Sequence, residues 1–169
     1  MAATSRQGWI INLLKGKIME QFKIINDILD FAIEGEIEAH KFYTDLAAKM
    51  TDKTMKHVFL DFAAEELGHK KILEDAKSGK KVLLKKEQIA DLKIAEFTVA
   101  VKPTPNMTFK DALILAMQKE KKAFQLYTRL SHLTIEKEAA ELFAALAQQE
   151  AKHKLRFELE YDDVVLKED

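Results

Sequence analysis

Four chemically loaded residues occur twice in this chain at one constant offset. Glu36, Tyr43, Glu66 and His69 recur 84 residues later as Glu120, Tyr127, Glu150 and His153. In each copy the tyrosine lies seven residues after the first glutamate, and a Glu-x-x-His begins 30 residues after that glutamate. Self-similarity at a fixed offset marks a duplicated unit. A duplication that keeps polar positions in phase predicts two helix pairs facing each other, with four carboxylates and two imidazoles aimed at one point.

The segments carrying these residues read as helices. Apolar residues recur at spacings of three and four, the signature of one buried helical face. Over about 20–50 the stripe is Ile25, Ile28, Leu29, Ala32, Glu36, Ala39, Tyr43, Leu46, Met50. Over about 52–77 it is Met55, Phe59, Phe62, Glu66, His69, Leu73, Ala76, with Asp52 placed as an N-cap. The third helix, about 109–132, runs Leu113, Ala116, Glu120, Ala123, Tyr127, Leu130 behind a Thr108/Asp111 capping pair. The fourth, about 135–161, runs Ala139, Leu142, Leu146, Glu150, His153, Phe157, Tyr161, with Thr134 as its expected cap.

Turns between the helices of each half are short, so each half is an antiparallel hairpin. The connection 78–107 is far longer than a bundle turn needs. Ser78 and Gly79 open it, a helical patch is expected around Glu87 to Leu92, Phe97, Val99 and Val101 alternate as a strand would, and Pro103 and Pro105 stiffen its end. It fits a crossover along a four-helix bundle, with 20–165 as the bundle and 1–19 as an N-terminal extension. The apolar residues Trp9, Ile10, Ile11, Leu13 and Leu14 of that extension read as an appendage ahead of Met19, in preference to a signal peptide or a docking helix.

Composition excludes several classes of function. The chain has no cysteine, hence no disulfide, zinc ribbon, iron–sulfur cluster or thiol nucleophile. Its formal net charge is -1, without a basic stripe, which argues against nucleic acid and anionic membrane as partners. No apolar run approaches the roughly 20 residues that cross a bilayer, and the cytoplasm is the expected compartment.

Glu36, Glu66, His69, Glu120, Glu150 and His153 all fall inside the apolar stripes. Burying an ionised carboxylate without a partner costs several kcal/mol. Arginine does not answer the need, since Arg6, Arg129 and Arg156 are out of register with the stripes. Metal does: a Glu from each of two helices and a Glu-x-x-His from each of the other two is the ligand set of di-iron and di-manganese bundles. Residues three apart on a helix share a face. Glu66 and Glu150 are therefore expected to bridge two ions, with His69 and His153 capping one each, and Glu36 and Glu120 as terminal ligands. Four carboxylates balance two divalent ions. The donor types suit iron or manganese, and zinc stays open.

The paired Glu-x6-Tyr and Glu-x-x-His motifs resemble the rubrerythrin branch of the ferritin-like superfamily, across all four helices. The resemblance implies an all-α, ferritin-like four-helix bundle holding two iron ions on those six residues. It further implies that Tyr43 and Tyr127 hydrogen-bond the glutamates of the opposite pair. The implied activity is that of a non-haem di-iron oxidoreductase reducing hydrogen peroxide, or dioxygen, to water. Two departures stand out. Without cysteines there is no rubredoxin-type centre, so electrons are expected from an external, rubredoxin-like donor protein. The family's extra glutamate one turn after the third-helix ligand is replaced by Ala123, which puts fast peroxide turnover in question.

A ferroxidase or iron-storage protein, a di-manganese catalase-like enzyme and a metal-stabilised partner module share the ligand set and stay open. Val164, Val165 and Leu166 are too few for the fifth helix of a storage cage. A homodimer, with hairpin exchange through the crossover, is expected. His40, one turn beyond Glu36, is a weaker candidate near the site; His57, His132, Glu34, Glu38, Glu65 and Glu74 read as solvated.

Overall fold

The computed structural model describes residues 6–51, 53–79, 82, 84, 94–99, 104 and 106–168. Four long helices dominate these residues: α1 (Arg6–Lys49), α2 (Lys53–Ser78), α3 (Phe109–Leu133) and α4 (Lys137–Glu168). The expected N-cap Asp52, the helical patch around Glu87 to Leu92, and Val101 lie outside the described residues.

The first helix starts earlier than its stripe suggests. With no proline before position 103, and with Gly8 and Gly16 costing only about 1 kcal/mol each, α1 extends back to Arg6. Residues 6–19 are therefore the opening turns of a 44-residue helix about 66 Å long, and no secondary-structure boundary separates them from the bundle. The fourth helix is likewise longer than expected and carries Val164 to Leu166 within it.

Caps follow local chemistry. The Thr108 hydroxyl accepts from the backbone N–H of Asp111 and donates to its carboxylate at 2.6 Å, as the capping pair predicted. Thr134 does something else. Its N–H and its hydroxyl both donate to the carbonyl of Leu130, so it closes α3, while the first turn of α4 begins with Ala140 donating to the Glu136 carbonyl. Thr134 also forms an isolated antiparallel bridge with Leu84, which ties the crossover to the end of the second hairpin.

The crossover departs from the extended strand expected of it. Ile94–Phe97 form a 3₁₀ turn. Among the described residues no strand runs alongside to complete a ladder, and a lone strand has little to hold it. The alternation of Phe97 and Val99 has another use: Phe97 packs on one apolar cluster and Val99 on the other.

Those two clusters bracket the centre of the bundle. One combines Ile25, Leu29, Leu73, Leu130 and Phe143; the other combines Phe42, Phe59, Phe62, Leu113 and Phe157. Residues 25–32 of α1 therefore lie level with the C-terminal part of α3, and residues 42–47 with its N-terminal part, so α1 and α3 are antiparallel. The crossover must run the length of the bundle to achieve this. Helices pack tightly within each hairpin, and the two hairpins approach each other less closely. Each helix crosses the layer between the clusters once, and there it carries a polar residue.

Candidate metal centre

That layer holds the duplicated residues. Glu36 of α1, Glu66 and His69 of α2, Glu120 of α3, and Glu150 and His153 of α4 are each at most 5 % exposed. Helical register explains the convergence: in every stripe the polar residue replaces an apolar one at the level where the hairpins face each other. Two groups of four result, Glu36, Glu66, His69 and Glu150, and Glu66, Glu120, Glu150 and His153, with ligand atoms within 4.8 Å of one another in each group. Glu66 and Glu150 belong to both.

The contacts repeat this division. His69 Nδ1 lies 2.9 Å from Glu150, 3.3 Å from Glu66 and 3.7 Å from Glu36. His153 Nδ1 lies 3.2 Å from Glu66 and 3.4 Å from Glu120. Glu66 thus turns one oxygen toward each imidazole. None of these approaches has hydrogen-bond directionality. Both oxygens of Glu66, one each of Glu120 and Glu150, and Nδ1 of both histidines are buried without a hydrogen-bonding partner. Buried polar atoms are rarely left so. Six orphaned donor atoms aimed at two shared points fit a pair of metal ions, and the oxygen and nitrogen donor set is compatible with iron.

Electrostatics in the metal-free cluster is that of crowded carboxylates. Burial, with Glu66 adding to it, pushes the Glu36 carboxyl up to about 8. Burial and the neighbouring Glu120 hold Glu150 well above the usual carboxylate range. Burial would raise Glu66 too, but the two imidazoles outweigh it and hold this carboxyl well below its ordinary value. Burial would lower both histidines; the carboxylates around them win, lifting His69 to about 12 and His153 to about 11.

The tyrosines tie the hairpins together. The Tyr43 hydroxyl of α1 donates to Glu120 Oε1 of α3, and the Tyr127 hydroxyl of α3 donates to Glu36 Oε1 of α1. Both rings are fully buried, and burial beside carboxylates pushes both phenols well above their ordinary range, so they stay protonated donors. An aromatic wall of Phe62, Phe59 and Phe157 backs Tyr43, and Phe62 packs at 4.8 Å on the His153 ring.

The rubrerythrin family profile matches residues 27–161, a span that contains all eight of these residues. The chain belongs to the rubrerythrin family. Two solved structures share the fold of this chain. A hypothetical protein from Pyrococcus furiosus is 26 % identical, with a TM-score of 0.63 over 82 % of this chain and 88 % of that one. A Thermotoga maritima protein described as ferritin-like and diiron-carboxylate is 20 % identical, with a TM-score of 0.63 over 83 % and 95 %; at that identity the likeness carries the fold alone. No curated protein matches the sequence.

Other candidates fall outside the cluster. His40 donates its Nδ1 proton to the carbonyl of Ala63 at 2.8 Å and joins neither group of four, whereas His57 and His132 are exposed. Ala123, where the family's extra glutamate is missing, lines a cavity that reaches the site. Glu65 was expected to be solvated. It is half exposed, yet its carboxylate accepts from His153 Nε2 at 2.9 Å. The residue 84 positions on is Gln149, so the duplication breaks here. That mismatch between Glu65 and Gln149 is the one sign of it in the sequence.

Proposed function

We propose that this member of the rubrerythrin family is a non-haem di-iron oxidoreductase that reduces hydrogen peroxide, or dioxygen, to water, with electrons from an external donor protein. The observation that supports it best is the sharing of Glu66 and Glu150 between two four-ligand groups, six of whose buried donor atoms lack partners. Held by these residues, two ferrous ions would supply the two electrons that reductive cleavage of a peroxide O–O bond consumes, and dioxygen would draw two more from the donor.

The protein's own part is positioning and enclosure. His69 and Glu36 would hold one ion, His153 and Glu120 the other. Tyr127 and Tyr43 fix the orientation of Glu36 and Glu120 from the opposite hairpin, so each terminal carboxylate keeps one oxygen engaged. Leu29, Tyr127 and Phe143 on one side and Phe59, Phe62 and Phe157 on the other close the layer to bulk water along the bundle axis.

The test is anaerobic. Iron-loaded protein is reduced, and one equivalent of peroxide is added. Oxidation of two irons per peroxide, with turnover on renewed supply of reduced donor and no dioxygen released, supports the reading. Dioxygen evolution without donor consumption identifies a catalase instead. Mineral iron accumulating beyond two ions per chain identifies storage, and iron indifferent to both peroxide and dioxygen overturns the redox reading altogether.

A further inference from the structure

The cavity above the cluster is far larger than peroxide requires. It lies between α1 and α3 under the crossover, has a volume of about 690 Å³, and has Glu36, Glu66, Glu120 and Glu150 at its floor. A water molecule occupies about 30 Å³ of liquid, so hydrogen peroxide needs roughly a tenth of this space. Volumes of several hundred Å³ are those of sites for organic molecules.

The walls are apolar: Phe31, Phe42 and Leu126 from the helices, Phe97 and Val99 from the crossover. Gly35, the residue before Glu36, faces open space, with nothing within 4 Å of where its Cβ would stand. Ala123 leaves further room on the opposite wall. The charges around the cavity's rim cancel, and two divalent ions would balance the four glutamates of its floor. Three acids, Glu34, Glu38 and Asp45, stand among three lysines, Lys41, Lys119 and Lys122. Lys41 pairs with Asp45 at 2.6 Å and Lys119 with Glu38 at 3.7 Å, while Lys122 donates to the Glu96 carbonyl and pins the crossover as a roof. A balanced rim offers an ionic ligand no net attraction. The occupant with matching chemistry is neutral, apolar and larger than peroxide.

Taken with the proposed function, on which this inference rests, we infer that the cavity admits organic hydroperoxides with an apolar substituent. The substrate ROOH takes two electrons, drawn through the site from the external donor, and two protons from solvent. Its O–O bond breaks, one oxygen leaves as water and the other as the alcohol ROH. The apolar R group occupies the cavity between Phe31, Phe97 and Leu126, and the hydroperoxide end meets the carboxylate floor.

The experiment compares kcat/KM for cumene hydroperoxide and hydrogen peroxide in iron-loaded wild type, Gly35→Leu and Ala123→Leu. Leucine is the better helix former at an interior glycine, so Gly35→Leu fills the cavity without a helix penalty, and Ala123→Leu repeats the test from the other wall. Circular dichroism verifies folding. In parallel, binding of cumyl alcohol, the expected product, to oxidised iron-loaded protein is followed by calorimetry, a readout independent of turnover. The expected result is reduction of both peroxides by the wild type. Each variant should lose at least tenfold more kcat/KM for the organic substrate than for hydrogen peroxide, and should lose alcohol binding. Hydrogen peroxide reduced while cumene hydroperoxide is refused, or equal losses for both, overturns the inference and leaves the proposed function standing. Failure of the wild type with both peroxides overturns the inference, and failure with dioxygen as well overturns the two together.

Discussion

Loading metal into this cluster should expel protons, and the number follows from the structure. In the metal-free protein burial lifts Glu36 to about 8, and the surrounding carboxylates lift His69 to about 12 and His153 to about 11. At pH 7 the histidines are then fully protonated, and Glu36 is roughly nine-tenths so. Glu150, also raised, adds to the count. Metal ligation requires neutral imidazole and ionised carboxylate. Binding two divalent ions should therefore release between about three and four protons per chain. Exposed groups with ordinary values would release only about half a proton, all of it from the two histidines. Isothermal titration of metal-free protein with cobalt, a spectroscopic stand-in for ferrous ion, measures the difference. Run at pH 7 in buffers of different ionisation enthalpy, the titration yields the proton count directly. A count near one half would show that the six residues do not share a desolvated cluster, and the reasoning would fail.

The same shifts give the metal-free protein a definite pH profile. The histidine contribution is complete below about 6.5 and lost as pH rises through 11 to 12, and that of protonated Glu36 is lost as pH rises from 4.5 through 8. The melting temperature of metal-free protein should thus fall steadily from pH 6 to pH 9, while that of metal-loaded protein holds; a metal-free protein that becomes more stable over this range contradicts the assignment. Tyr43→Phe removes the donor to Glu120 and leaves a buried carboxylate oxygen unsatisfied, a cost of about 1–3 kcal/mol. Calorimetry should register a melting temperature lower by roughly 2–12 °C, and no change would mean that the tie carries nothing. Glu65→Gln should weaken only the ion beside His153, by about 10–100-fold, converting a cobalt titration into two separated steps. Equal weakening of both steps would count against a local role for Glu65.

Much of this architecture was legible because the informative residues repeat within helical stripes. The 84-residue offset and the spacing of three in Glu-x-x-His located the six clustered residues without any contact information, and the stripes located the four helices. The Tyr43–Glu120 and Tyr127–Glu36 ties are observed as the family resemblance implied. What the sequence hid depends on neighbours it does not encode locally. Glu65 sits about 100° around the helix from Glu66, on what reads as a wet face, and only the packing of α2 on α4 brings it to His153. Thr134 has the chemistry of a cap at either helix end, and its hydroxyl serves α3 where α4 was expected. Phe97 and Val99 alternate for the sake of two different core clusters, which imitates a strand where a turn forms. The start of α1 carries no proline, and Gly8 and Gly16 do not interrupt it, so its stripe gave no boundary. The cavity beside Gly35 depends on the separation of α1 and α3 and on how the crossover roofs them, which periodicity cannot convey.

The central claim is that one chain holds two metal ions bridged by Glu66 and Glu150. Anomalous diffraction at the iron edge from crystals of the iron-loaded protein tests it most directly. The expected result is two peaks per chain about 3.5–4 Å apart, one beside Glu36 and His69 and the other beside Glu120 and His153. A single peak, or peaks away from Glu66 and Glu150, would contradict it.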